Sequence, residues 1–247
     1  MNIGLPSWGE LIEEIASSVE YDPNIFRLLG DHLTLAEYYE LSKGSLGELR
    51  SRMDTQWHSD DKRRAVRESE IYRLLINLPF NIIYTTNYDR YLEWACESQG
   101  KEFIKIKNVG DLVHVSDNKL QIIKFHGDFD DDQSIVLTES SYFERLSFES
   151  PLDIKLRADV LGKTILFLGY SLSDINMRLL FYKLHKLWDS SPYKKARPNS
   201  YIFLTRPNPV QEAILKKRGI EPIISPTDDP SEGIKEFLAE LHSKLKK

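Results

Sequence analysis

Three groups of polar residues in this chain each follow a short apolar run. Asn87 and Asp89 follow the first run, His126 follows the second, and Gly169-Tyr170-Ser171 follow the third. An amide beside a carboxylate offers the mixed donors and acceptors that ribose hydroxyls need. An imidazole can act as a general base near neutral pH, and a glycine with hydroxyls at a helix start suits a phosphate. The residue types therefore predict ribose contacts, a general base and phosphate contacts, in that order along the chain.

Each group also has an ordinary structural explanation. Asn87 and Asp89 are residue types that cap helices routinely. His126 can be a structural histidine, and residues 169–171 can form a simple turn from strand to helix. Of the six histidines, however, only His126 follows an apolar strand candidate, and Gly127 directly after it allows a sharp turn. Both interpretations stay open for each group at this point.

The apolar runs that precede the three groups have the length and the β-branched composition of strands buried on both faces. They cover residues 82–85, 120–125 and 164–168. In an open α/β sheet, ligands bind beyond the carboxyl ends of parallel strands. We therefore expect all three polar groups to face one cleft.

The elements around these runs predict an α/β fold, a Rossmann-like, mostly parallel sheet flanked by helices. Apolar residues at helical spacing predict a helical module at about 10–78, before a Rossmann-like core at about 80–247. We expect residues 1–247 to form a single domain.

Ser7 and Glu10 have capping-box spacing at the first helix. The predicted helices cover 8–19, 33–42, 65–78, 88–98, 139–146, 151–161, 174–188, 209–218 and the chain from 231, and short strands are predicted at 134–137, 201–205 and 222–225.

The composition excludes several classes of function. The net charge is −5 and the basic clusters are short and scattered, so a nucleic-acid-binding surface is disfavoured. No apolar stretch approaches the ~20 residues that span a bilayer, and the N-terminus lacks a secretory pattern, so the expected location is the cytoplasm. The single cysteine, Cys96, excludes an internal disulfide and a four-ligand zinc site built on cysteines.

The order and spacing of the motifs resemble one known family. Thr-Thr-Asn-Tyr-Asp at 85–89, His-Gly at 126–127 and Gly-Tyr-Ser at 169–171 are similar to the motifs of the sirtuin-like SIR2 domain. The resemblance is strongest to the bacterial SIR2-like NAD-hydrolase branch of anti-phage defence. Gly-Leu-Pro-Ser-Trp at 4–8 resembles the Gly-Ile-Pro-Asp-Phe segment of that superfamily.

The resemblance implies a role for each matching residue. Asn87 would contact the nicotinamide ribose and the attacking water, and His126 would be the general base. Asp89 would shape the pocket around the nicotinamide and its ribose, with Trp8 closing over the nicotinamide side. The remaining matches, Gly169, Tyr170 and Ser171, would line the phosphate and ribose region of NAD.

Two departures from the family pattern modify the implied activity. Deacetylating sirtuins carry a zinc ribbon with four cysteines, and this chain has one cysteine, so we expect no metal and favour NAD hydrolysis over deacylation. The superfamily's diphosphate-binding Gly-Ala-Gly-x-Ser loop should lie just before Gly4, where only three residues precede. We therefore expect that loop to be absent from this chain. The alternative is then a catalytically weak or inactive SIR2-fold scaffold subunit of a larger defence complex.

The resemblance also implies partners. NAD would be the substrate, cleaved to nicotinamide and ADP-ribose. The chain would form a homo-oligomer, and its activity would be controlled by assembly with a protein such as a HerA-type ATPase or an Argonaute-like protein.

Overall fold

The computed structural model describes residues 8–116, 118–147, 149–170, 172 and 174–245. Contacts divide the chain after Ser147 into two compact parts, which we call the N-terminal unit and the C-terminal unit. The described residues of each unit include a three-stranded parallel sheet and the helices that flank it. The predicted α/β class, with parallel strands flanked by helices, is therefore confirmed.

The N-terminal unit starts with a run of helices and continues into alternating strands and helices. Its helices and strands are α1 (Trp8–Ser18), α2 (Pro23–Phe26), α3 (His32–Lys43), α4 (Gly47–Trp57), α5 (Asp60–Glu68), α6 (Glu70–Asn77), β1 (Ile82–Thr85), α7 (Tyr91–Ser98), β2 (Phe103–Ile106), β3 (Leu120–Lys124) and α8 (Glu139–Glu144). Short 3₁₀ helices cover Gly110–His114, Asp132–Ser134 and Arg145–Ser147.

The sheet of the N-terminal unit has the order β1-β3-β2. In the central strand β3 all five residues are buried, as expected for a strand covered on both faces. Thr85 at the end of β1 pairs with Lys124 at the end of β3. Because the strands are parallel, the segments that follow β1 and β3 leave the sheet at the same edge.

Two clusters of buried apolar side chains hold the helices of this unit in place. In one cluster, Ile15 of α1 packs with Tyr39 of α3 and Leu49 of α4. In the other, Tyr91 of α7 packs with Ile122 of β3. The helical module therefore shares its unit with the strands that carry Asn87 and His126.

The C-terminal unit continues the alternation of helices and strands. Its elements are α9 (Pro151–Gly162), β4 (Ile165–Phe167), α10 (Ile175–Asp189), a 3₁₀ helix (Lys194–Ala196), β5 (Ser200–Leu204), α11 (Pro209–Lys217), β6 (Ile220–Ile224) and α12 (Pro230–Leu245). The strand order is β4-β5-β6. Ser150 and Asn208 cap α9 and α11, each with a proline at the first helical turn, a position that suits proline because its missing N–H is not needed there.

Several predicted elements are corrected by the structure. The stretch between residues 43 and 64, for which no helix was predicted, contains α4. The predicted helix at 65–78 is two helices, α5 and α6, separated at Ser69, whose hydroxyl accepts a hydrogen bond from the Tyr72 N–H at 3.4 Å. Strand β2 was not predicted. The strand predicted at 134–137 is wrong, because the Val136 N–H bonds to the His126 carbonyl, 2.9 Å away, rather than to a strand.

Some expectations concern what the chain lacks. Within the described ranges, no helix is long and apolar enough to cross a membrane. Among the same residues, no group of three or more His, Cys, Asp and Glu side chains is placed to hold a metal. Cys96 is buried, and burial raises the pKa of its thiol to about 12, so this cysteine is an inert thiol at neutral pH. Ser7, the predicted cap of α1, lies outside the described residues.

Candidate active site

The segments that carry Asn87 and His126 leave the sheet side by side. The Phe125 N–H donates to the Thr85 carbonyl at 2.8 Å, which extends the pairing of β1 and β3 by one residue. Asn87 follows Thr85 by two residues and His126 follows Phe125 directly. The prediction that each of these residues follows a strand end is therefore confirmed, and the structure shows that the two strands are neighbours.

Asn87 and Asp89 differ sharply in exposure. Asn87 is exposed, and its backbone N–H donates to Thr85 Oγ1 at 3.1 Å. Asp89 is buried, and its Oδ1 accepts a hydrogen bond from the Tyr91 N–H at 2.9 Å at the start of α7. Asp89 thus satisfies the first N–H of α7 although the N-cap position is Arg90, while Asn87 lies outside the helix start.

The second oxygen of Asp89 has a different environment. Oδ2 is buried and accepts no hydrogen bond from any residue that the structure describes. A buried carboxylate oxygen without a donor is costly.

His126 is almost completely buried, with 3% of its surface exposed. Its Nδ1 lies 3.3 Å from Tyr142 Oη, and the two rings meet edge to face with centroids 5.3 Å apart. Gly127 follows with φ +100°, and an added Cβ there would clash with the Ser134 carbonyl. The turn after His126 therefore requires glycine.

The pKa of His126 is lower than that of an ordinary imidazole. Burial, with a smaller contribution from the positive charge of Arg145, lowers the pKa of His126 to about 3. Arg145 donates to the Phe125 carbonyl, and its guanidinium carbon lies 4.0 Å from the centre of the Phe125 ring. The imidazole is consequently neutral at physiological pH.

A cluster of buried charged side chains contacts these two segments. The sequence did not single out these side chains. Lys124 and Asp128 are each at most 1% exposed, and Lys124 Nζ lies 3.5 Å from Glu93 Oε1. Lys105 Nζ lies 3.2 Å from Asp128 Oδ2 and donates to Asp130. A lysine at the end of an otherwise apolar run was the available sequence signal for this cluster.

Tyr142 and Arg145 were also missed. They lie three residues apart, in α8 and in the 3₁₀ helix after it, so both reach the end of β3 from one face. No sequence motif marks them, because their contacts with His126 and Phe125 span 16 and 20 residues.

The third predicted motif belongs to the C-terminal unit. Gly169 is exposed with φ +60°, and the Tyr170 ring stacks on Phe167 with centroids 6.1 Å apart. Asp174 caps α10 by accepting from the Met177 N–H at 2.9 Å. Ser171 lies outside the described residues. That this motif faces the same cleft as Asn87 and His126 stays a prediction.

Comparison with known proteins decides the family. The SIR2-like domain family matches residues 81–223, a range that includes all three motifs. The chain belongs to the SIR2-like family. Its α/β architecture with parallel strands is consistent with the Rossmann-like SIR2 fold. Residues 4–7 of the segment compared with Gly-Ile-Pro-Asp-Phe lie outside the described residues, and Trp8 is the first residue of α1.

Several curated relatives of this SIR2-like chain carry informative names. It is 35% identical over 181 residues to the NAD(+) hydrolase ThsA of Enterococcus faecium. The matched residues are 72% of this chain and 36% of the relative. It is 30% identical over 192 residues to the NAD(+) hydrolase ThsA of Bacillus cereus (strain MSX-D12), covering 76% of this chain and 38% of the relative. The Defense-associated sirtuin 2 of Bacillus subtilis is 30% identical over 149 residues, 58% of this chain and 14% of the relative. The chain thus matches well under half the length of these relatives.

Proposed function

We propose that this chain hydrolyses NAD+ to nicotinamide and ADP-ribose in an anti-phage defence system. Membership of the SIR2-like family and the names of the ThsA relatives support this activity. The observation that carries it in the structure is the placement of Asn87 and His126 after the adjacent ends of β1 and β3. This edge of the sheet is where α/β proteins bind their ligands.

The proposed reaction breaks the bond between the ribose C1′ and the nicotinamide nitrogen. Nicotinamide leaves with the bonding electron pair as a neutral molecule, and the sugar passes through an oxocarbenium-like state, as in glycoside hydrolysis. Water then bonds to C1′ and loses one proton. The products are nicotinamide, ADP-ribose and that proton, and no metal is needed for this chemistry.

In this proposal, Asn87 orients the water and the ribose, and His126 accepts the proton. The neutral imidazole has a pKa of only about 3, which makes it a weak base. A weak base suffices when the proton transfer is late, because water that has bonded to C1′ is far more acidic than free water. The low pKa therefore favours a path in which nicotinamide departs first.

Tyr142 supports this role of His126. A base acting through Nε2 must carry its own proton on Nδ1, and Nδ1 lies 3.3 Å from Tyr142 Oη. When Nδ1–H donates to this oxygen, the tautomer with a basic Nε2 is stabilised. Asp89 Oδ2, which needs a donor, is proposed to contact the nicotinamide or its ribose, and Gly169, Tyr170 and Ser171 to line the phosphate region.

Further features of the proposal come from the sequence composition and from the family resemblance. We propose a cytoplasmic location, a homo-oligomer, and control by a protein partner such as a HerA-type ATPase or an Argonaute-like protein. The competing proposal is an inactive scaffold subunit, and the low basicity of His126 is the observation that favours it.

Substitution of Asn87 tests the assignment. Asn87→Ala should lower NAD+ consumption about 100-fold, since loss of orientation at the reacting centre has effects of this size. Asn81→Ala is the matched control, because Asn81 is an exposed asparagine just before β1. Chromatography of the products separates ADP-ribose from cyclic ADP-ribose. Full activity of Asn87→Ala would contradict the role given to this residue.

A further inference from the structure

One buried ammonium group connects the two segments that carry the proposed catalytic residues. Lys124 is the last residue of β3 and is 1% exposed. Its Nζ donates to the backbone carbonyl of Asp89 and lies 3.7 Å from Asp128 Oδ2. Asp89 comes two residues after Asn87, and Asp128 comes two residues after His126. Lys124 therefore holds each segment at an equivalent point.

A third partner anchors the same ammonium to α7. Glu93 Oε1 lies 3.5 Å from Lys124 Nζ, and Glu93 is itself buried. Burial raises the pKa of the Glu93 carboxyl, and the positive charge of Lys124 opposes that shift. The ammonium thus has one hydrogen-bond acceptor, the Asp89 carbonyl, and two carboxylates within ion-pair distance.

The charges around Lys124 continue outward as an alternating series. Asp128 also pairs with Lys105, since Lys105 Nζ lies 3.2 Å from Asp128 Oδ2. Lys105 pairs with Asp130 as well. Asp130 in turn accepts from Arg90 at 2.8 Å, in the segment just after Asp89. Buried charges persist only when they are paired in this way, so the series ties the loop after β1 to the loop after β3.

We propose that Lys124 is a positioning residue that fixes the segment of Asn87 relative to the segment of His126. The ammonium bridges the backbone of one loop and the carboxylate of the other, so its loss removes the buried link between the two loops and leaves the outer link from Arg90 to Asp130. The catalytic consequence rests on the NAD+ hydrolysis proposed above. The structural consequence does not depend on that activity.

The test is a charge-neutral double variant, Lys124→Met with Glu93→Gln. Removing both charges avoids an unpaired carboxylate at Glu93, which would itself destabilise the fold. The matched control is Lys119→Met with Glu102→Gln, a Lys–Glu pair 3.1 Å apart in the same unit but exposed. Circular dichroism verifies that both variants are folded.

Two measurements are made on the full chain. For NAD+ turnover, the double variant should show a kcat about 10- to 100-fold lower, as expected for misplaced reacting groups, with KM changed by less than about threefold. For hydrogen exchange, amides in residues 87–90 and 125–128 should exchange about tenfold faster, the factor expected when a charge-assisted hydrogen bond is lost. The Lys119/Glu102 control should match the wild type in both measurements.

The outcomes separate this inference from the proposed function. If the wild type does not consume NAD+, the proposed function fails, and the exchange rates alone decide the role of Lys124. Wild-type exchange in both segments of the double variant overturns the inference, as does an unchanged kcat. If the double variant does not fold, Asp128→Asn is compared with Lys105→Met, because Asp128 pairs with both lysines. Faster exchange in residues 125–128 of Asp128→Asn than of Lys105→Met supports the inference, and equal exchange contradicts it.

Discussion

At the scale of single residues, the environment of His126 determines what this side chain can do. Burial lowers its pKa to about 3, from about 6.5 in an unfolded chain. Between these values the unfolded state binds a proton that the folded state does not. The stabilisation from the neutral imidazole is therefore complete above about pH 6.5 and is lost progressively as the pH falls toward 3.

This difference in proton binding gives a measurable pH dependence. Between pH 6 and pH 4, the free energy of unfolding of the wild type should fall more steeply than that of His126→Gln, by about 1.4 kcal/mol per pH unit. Denaturant titrations at several pH values give both curves. Because all other titrating groups are shared by the two proteins, parallel curves would contradict the neutral, buried state of His126.

Tyr142 provides a second prediction at the same scale. Tyr142→Phe keeps the ring against His126 and removes the oxygen near Nδ1. Its kcat for NAD+ should fall about 2- to 10-fold, the range that one hydrogen bond of ordinary strength supplies. The control is Tyr201→Phe, which removes a hydroxyl that accepts from Asn199 at 3.3 Å in the C-terminal unit. Equal loss in the two variants would show that Tyr142 has no special role.

The sequence was sufficient to place Asn87 and His126 after strand ends, but not to predict what surrounds them. Asn87 and His126 were assigned to strand ends, and both are found there, because apolar runs followed by polar residues are a local signal. Tyr142 and Lys124 were missed, since their contacts join residues 16 and 35 positions apart. The low pKa of His126 follows from its burial and from the charge of Arg145, and neither cause could be predicted from a motif.

At the scale of elements, the turn between β3 and α8 depends on Gly127. Its φ of +100° disfavours other residues, and the Ser134 carbonyl occupies the space of a Cβ. Gly127→Ala should lower the free energy of unfolding by about 3 kcal/mol through strain and displacement of backbone, measured by denaturant unfolding. Gly162→Ala is the control, because no atom lies within 4 Å of an added Cβ there. An unchanged stability of Gly127→Ala would contradict the requirement for glycine.

Elements with a strong local apolar signal were predicted, and elements with a weak one were missed. The β1 prediction is confirmed at both ends, because its four residues are apolar or aromatic apart from a terminal threonine. Helix α4 was missed although Leu49, Met53 and Trp57 repeat at four-residue spacing; its remaining residues are mostly polar, and its apolar stripe is narrow. Strand β2 has a lysine at its third position, which interrupts the apolar run that would predict a strand.

At the scale of the whole molecule, the family is established and the assembly stays a proposal. The SIR2-like match runs from residue 81 to residue 223 and therefore extends across the boundary between the two units. The helical module lies before that match. One cleft shared by the three motifs and a single domain over residues 1–247 remain predictions from the sequence, and control by a partner remains a prediction of the family resemblance.

The most direct test of the account is NAD+ consumption by the purified chain, alone and with the protein encoded beside it. The wild type should release nicotinamide and ADP-ribose in equal amounts, and His126→Ala should lower the rate at least about 100-fold, the contribution of a general base. His114→Ala, an exposed histidine, should retain the wild-type rate. Equal rates for wild type and His126→Ala, or no NAD+ consumption under either condition, would contradict the proposal.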